Sequence, residues 1–114
     1  MEEIMHINME EKQEVTVCCI SGEVDINSSP ELKKYFEQIT KRKPGKVIID
    51  FADVTYVDSS GLATFVDILK KVRSYGGKLK LSGLSEKVKG LFEMTKLDKL
   101  FDIVADETAA ISSF

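Results

Sequence analysis

Tryptophan is absent from this 114-residue sequence, histidine occurs once, and cysteine and proline occur twice each. Each scarcity narrows the chemistry. With His6 as the lone imidazole, a Ser–His–acid triad would need the fold to carry it to a distant serine loop. Cys18 and Cys19 are neighbours in a strand-like run, where successive side chains point to opposite faces. A mutual disulfide is therefore disfavoured, and reduced, largely buried thiols are expected. The acids form no EF-hand loop, and neither a phosphate-binding loop nor a GxSxG elbow is present. No metal, no cofactor and no catalysis are expected. Apolar runs are short too. None approaches the ~18 residues of a membrane span, and the start MEEIMHINMEE has no signal-peptide character. A cytoplasmic chain without membrane contact is the expectation. Positive charge is not in excess either: 16 Lys and Arg against 19 Asp and Glu give −3. That balance argues against nucleic acid as partner. The basic run Lys41-Arg42-Lys43 falls at the end of a predicted helix, where cations complement the helix dipole.

What the sequence does hold is globular: 43% hydrophobic and 31% charged residues, enough for one domain spanning 1–114. A mixed pattern around Ile4, His6 and Asn8 suggests a first strand, and 10–14 reads as a turn. Residues 15–21 (VTVCCIS), closed by Gly22, predict a second strand in hairpin with the first. A helix then starts at SSPEL. Ser28 and Glu31 have capping-box spacing, whereas Ser29-Pro30 suits an N-cap followed by N1. Leu32, Tyr35, Phe36 and Ile39 form its apolar stripe, and Pro44-Gly45 ends it.

Residues 47–51 (VIIDF) are a short, nearly continuous apolar run, the pattern of a strand covered on both faces. Leu62, Phe65, Val66, Leu69 and Val72 mark a second helix, stopped by Gly76-Gly77. In KLKLSG, Leu79 and Leu81 alternate with lysines, a strand with one wetter face. Ser85 is placed to cap a third helix with Val88, Leu91, Phe92 and Thr95 inward. FDIVA (101–105) is a last strand, and Asp106 caps a short terminal helix. The order ββαβαβαβα predicts an α/β fold: a mixed, mostly parallel sheet of about five strands with about four helices packed against it.

Between the third strand and second helix lies YVDSSGL (56–62). The end of a strand in such a sheet is where ligands and partners are commonly met. Asp58, Ser59 or Ser60 could each cap the helix, but only one can be the N-cap. The two polar residues left over beside Gly61 make capping alone, or capping plus an exposed functional hydroxyl, both open readings.

The run VIIDFADVTYVDSSGL resembles the signature of STAS-domain anti-sigma factor antagonists. GEVD (22–25) and VKGLFEMTKLDKLFDI (88–103) match two further family motifs in order, so the resemblance covers nearly the whole chain. It implies that Ser59 is the phosphoacceptor, with Ser60 the less favoured alternative, and that Asp25, Asp58, Ser59, Ser60 and Gly61 meet a partner. Gly61 would give backbone clearance for close approach. The partners implied are an anti-sigma factor serine kinase and a serine/threonine phosphatase, with the free protein monomeric. An alternative is a constitutive STAS scaffold or transport-complex subunit. An enzyme or nucleotide hydrolase ranks third, because no phosphate-binding loop is present.

Overall fold

A computed structural model describes residues 4–114. The elements are β1 (His6–Lys12), β2 (Val15–Val24), α1 (Ser29–Lys41), β3 (Lys46–Val57), α2 (Ser59–Ser74), β4 (Lys78–Ser82), α3 (Glu86–Met94), β5 (Asp102–Val104) and α4 (Glu107–Ser112), with a 3-10 turn at Leu97–Lys99 before β5. One five-stranded sheet runs in the order β1-β2-β3-β4-β5. Among the described residues only the β1–β2 pair is antiparallel, and the other pairs are parallel. The expected α/β architecture is present.

Alternation along the strands divides the core between two faces. Cys18, Ile20, Val47, Ile49 and Phe51 face the apolar stripes of α1, α2 and α3 in the larger cluster. The register pairs Cys18 with Ile49, so both fall on that face. Val15, Val17 and Ile48 face the other way and meet Ala110 of α4. The two cysteines accordingly separate, Cys18 buried and Cys19 half-buried, and both are free. An aromatic chain crosses the larger core. Phe36 to Phe65, Phe65 to Phe51, Phe51 to Phe92 and Phe92 to Phe101 have ring centroids 4.8–6.1 Å apart, tilted or edge-on. Such pairs add about 0.5–1.5 kcal/mol each beyond burial.

Several boundaries differ from expectation, each for a physical reason. Ile4 precedes the first strand, and β1 runs on through Glu10–Lys12 because it is an edge strand whose charged side chains stay in water. The hairpin turn is only Gln13-Glu14, both at positive φ (50° and 66°). Gly22 does not end β2. At φ 88° it sits at a register shift, and a Cβ there would come within 2.6 Å of the Ile4 carbonyl oxygen. β3 likewise continues past Phe51 to Val57, because the prolonged β2 keeps pairing with it through Val24 and Val57. Thr95 points out and bonds the Leu91 carbonyl with its hydroxyl. Ser28 starts α1 without a side-chain cap. The wetter face of β4 is drier than its sequence suggests: Lys80 is buried, its Nζ donating to Ser113 and lying 3.3 Å from Asp102 and 4.8 Å from the Phe114 ring centroid.

Candidate functional site

The prolonged β2 and β3 carry their following loops side by side beyond the rest of the sheet. Sequence-distant segments 25–29 and 58–61 thereby become one surface. Asp58 is the joint between them. Its Oδ1 accepts from Ser60 N (3.0 Å), Gly61 N (3.0 Å) and Ser60 Oγ (2.6 Å), which makes it the N-cap of α2. Its Oδ2 accepts from Ile26 N (3.0 Å) in the other loop. Asp58 N, in turn, donates to Val24 O. Of the three candidate caps, the residue with two acceptor oxygens takes the role.

The other loop is ordered by Asp25. Its Oδ1 accepts from Asn27 N and Ser28 N, and its carbonyl from Ser29 N and Ser29 Oγ. The Ser28 hydroxyl donates to Glu23 O and accepts from Asp25 N. It is committed to the loop, which is why it cannot cap α1. Ser29 Oγ also reaches Ser60 Oγ at 3.4 Å.

The expected residues therefore converge, but their environments differ. Ser60 is half-buried, with its hydroxyl bonded to Asp58 and Ser29. Ser59 is exposed, and its hydroxyl has no hydrogen-bond partner among the described residues. Gly61 is buried, so its clearance is internal and does not lie at the surface where a partner would approach. A Cβ there would meet Val24 O at 2.7 Å, Val24 Cγ1 at 2.9 Å and Val57 Cγ1 at 3.0 Å. His6 lies on β1 beside Asn8, Cys19, Ser21 and Asp53, and among the described residues no hydrogen bond joins it to Ser59 or Ser60.

Burial would push the Asp58 carboxyl up, but hydrogen bonds from Ser60, Gly61 and Ile26 outweigh it and hold the group below its ordinary value. A depressed folded pKa means that this stabilisation is present above the unfolded value of about 3.9 and is lost as pH falls through the folded one. Asp58→Ala is expected to cost about 1–2 kcal/mol at pH 7, since it removes a cap. The gap between the two proteins should shrink as the medium is acidified toward pH 3. Urea unfolding at both pH values checks this; an equal gap at each would contradict it.

Beside Ser59, β3 and α3 border a groove of about 580 Å³ whose wall includes Tyr56, Lys87, Leu91 and Met94. Met94 is 81% exposed, and Lys87 Nζ lies 5.8 Å from the Tyr56 ring centroid. Across the joined loops Ile26 is 72% exposed. These exposed side chains were not singled out from the sequence. The available signal was that Met94 falls off the helical stripe of α3 and Ile26 interrupts a polar loop. Among the described residues, no helix is long and apolar enough to cross a membrane.

Comparison with known proteins gives a consistent result. The profile described as the STAS domain matches residues 6–110. The anti-sigma-B factor antagonist of Bacillus subtilis (strain 168) is 36% identical over 110 residues, covering 94% of this chain and 99% of that one. An anti-sigma factor antagonist from Mycobacterium paratuberculosis superposes with a TM-score of 0.89 at 22% identity, covering 96% and 93% of the two chains. The Bacillus cell fate determinant SpoIIAA, in its phosphorylated form, superposes at 0.72 with 17% identity, covering 96% and 100%. At those identities the two structures establish the fold.

Proposed function

The chain belongs to the STAS-domain family, and on that premise we propose that it is an anti-sigma factor antagonist acting by partner switching. Unphosphorylated, it binds an anti-sigma factor that is also a serine kinase, and so frees a sigma factor. Phosphorylation of Ser59 by that kinase ends binding, and a serine/threonine phosphatase restores it. The role is regulatory, not catalytic.

The observation that carries this reading is the division of labour at the start of α2. Asp58 caps the helix and Ser60 is bonded to its neighbours, which leaves Ser59 as the exposed hydroxyl with no structural duty. A kinase can draw that hydroxyl into its own site without breaking a hydrogen bond. Ser60 would first have to give up a 2.6 Å bond to a carboxylate. Asp25, Asp58, Ser59 and Ser60 are the proposed contacts, Gly61 supporting them from beneath.

Once formed, a phosphate on the first residue of α2 meets the positive end of the helix dipole, worth roughly 0.3–1 kcal/mol, and the like charge of Asp58, whose carboxylate already takes the Ser60 and Gly61 N–H groups; the two small effects oppose one another. The fold therefore tolerates the modification. The docking surface, already bearing Asp25 and Asp58, becomes strongly anionic. Incubation with the cognate kinase and ATP, followed by peptide mass spectrometry, tests the assignment. Phosphate on Ser59 is expected; phosphate on Ser60 alone, or on neither serine, would sink it.

A further inference from the structure

The sheet face opposite α1–α3 gathers polar side chains that the sequence keeps far apart. Cys19 of β2 and Asp50 of β3 are register partners, and Ser82 of β4 partners Asp50 from its other side. All three lie on the face where Val17 and Ile48 meet α4. Glu107, in the first turn of α4, joins them from above. Cys19 Sγ and one oxygen each of Asp50 and Glu107 lie within 4.8 Å of one another, all half-buried. We propose that Cys19, Asp50 and Glu107 are the protein ligands of a divalent transition-metal site of zinc type, with the Ser82 hydroxyl bonding a metal-bound water.

Two independent observations point to a ligand there. The first is Ser82 itself. Its Oγ is fully buried and has no hydrogen-bond partner among the described residues. A buried hydroxyl left unpaired is disfavoured by about 1–3 kcal/mol, so a bound water beside Asp50 is what the position calls for. The second is geometric: a thiol and two carboxyl groups from three different elements are held half-buried with ligand atoms within 4.8 Å of one another. Binding a divalent ion there would release the thiol proton and neutralise the two carboxylates together.

The donor set selects the metal class. Calcium and magnesium favour all-oxygen shells, whereas one thiolate and two carboxylate oxygens suit zinc, with water in the fourth tetrahedral position. Zinc distances of about 2.3 Å to sulfur and about 2.0–2.2 Å to oxygen require the ligand atoms to close by roughly an ångström. The flexible Glu107 side chain supplies that movement. Lys12 Nζ donates to Glu107 Oε1 at 2.8 Å, and a carboxylate has two acceptor oxygens, so the ion and the ammonium can share the group. A shallow depression of about 220 Å³ lined by His6, Asn8, Cys19 and Ser21 gives access to the sulfur. The ion would bind α4 to β2 and β3, and nothing in this site involves Ser59.

Cobalt(II) titration of the full chain followed by absorbance, and zinc(II) titration by calorimetry, test the site. One equivalent is expected to bind, with a sulfur-to-cobalt charge-transfer band and a higher Tm. Cys19→Ser should abolish the band, and Glu107→Gln should weaken binding by more than about a hundredfold, the upper range for outer-shell changes. Ser82→Ala should keep the band and weaken binding about tenfold. Melting curves of the metal-free variants verify that each is folded. No saturable binding by the wild type overturns the proposal. So does binding that Cys19→Ser leaves unchanged, which would assign the ion to surface carboxylates.

Discussion

Ser59→Asp is expected to weaken binding to the proposed anti-sigma kinase roughly a hundredfold while leaving the melting temperature almost unchanged. The first half follows from charge at the docking surface. A partner carboxylate ~5 Å from the new one, at an effective dielectric constant of ~20, repels it by on the order of 3 kcal/mol. That energy corresponds to about two powers of ten in Kd. Phosphoserine, with nearly two charges, should do more. The second half follows from position. Ser59 is the first residue of α2, directly after its Asp58 cap, and its hydroxyl has no hydrogen bond to lose among the described residues. An anion there is favoured by the helix dipole and repelled by Asp58, two small effects of opposite sign at an exposed site. Ser59→Ala should bind like the wild type and resist the kinase. Calorimetric titration of the three proteins against the kinase separates the outcomes. If Ser59→Asp binds within about twofold of the wild type, repulsion is not the switch.

Gly61→Ala should be the most damaging conservative substitution in the site region, lowering Tm by about 10 °C. In an ordinary helix the change would gain about 1 kcal/mol of helix propensity. Here the added methyl meets a backbone carbonyl oxygen at 2.7 Å and two valine methyls at 2.9–3.0 Å. The carbonyl belongs to Val24, which also accepts the Asp58 N–H, so it cannot retreat without releasing that bond. Overpacking of this kind costs about 1–3 kcal/mol, and the fixed carbonyl places it at the upper end. The clash outweighs the propensity gain, and a net loss of about 2 kcal/mol translates to the stated shift in a domain of this size. Gly90 is the matched control, a helical glycine with nothing within 4 Å of where its Cβ would stand. Gly90→Ala should melt at or above the wild-type temperature; a comparable drop at both positions would refute the packing argument.

The contrast between these two glycines shows what the sequence could and could not disclose. Element order, strand direction and the helix stripes were legible because alternation and 3.6-residue spacing are local patterns. Segment 56–62 stood out for a similar reason: three cap-competent residues compete for one cap. Which of them wins is a tertiary matter. Asp58 caps because its second oxygen is needed by Ile26, thirty-two positions away. The lengths of β2 and β3 were illegible for the same kind of reason. Gly22 and the polar residues after Phe51 look like terminators, yet each strand persists because the other supplies a pairing edge. Lys80 looked solvent-facing because nothing local announces that Ser113 and Phe114 return to cover it. The Cys19–Asp50–Glu107 group was equally hidden, since its members come from two strands and a terminal helix.

One carboxylate with an oxygen in each loop has a dynamic consequence. Loops joined only through the sheet could fray separately, each on its own timescale. With Asp58 Oδ1 holding the start of α2 and Oδ2 holding Ile26 N, opening either segment removes support from the other. The two segments are therefore expected to open together, with their backbone amides showing a common protection in hydrogen exchange. A kinase that pulls Ser59 out of this surface works against the combined rigidity of both loops, unless the helix start stays closed while the hydroxyl alone is taken.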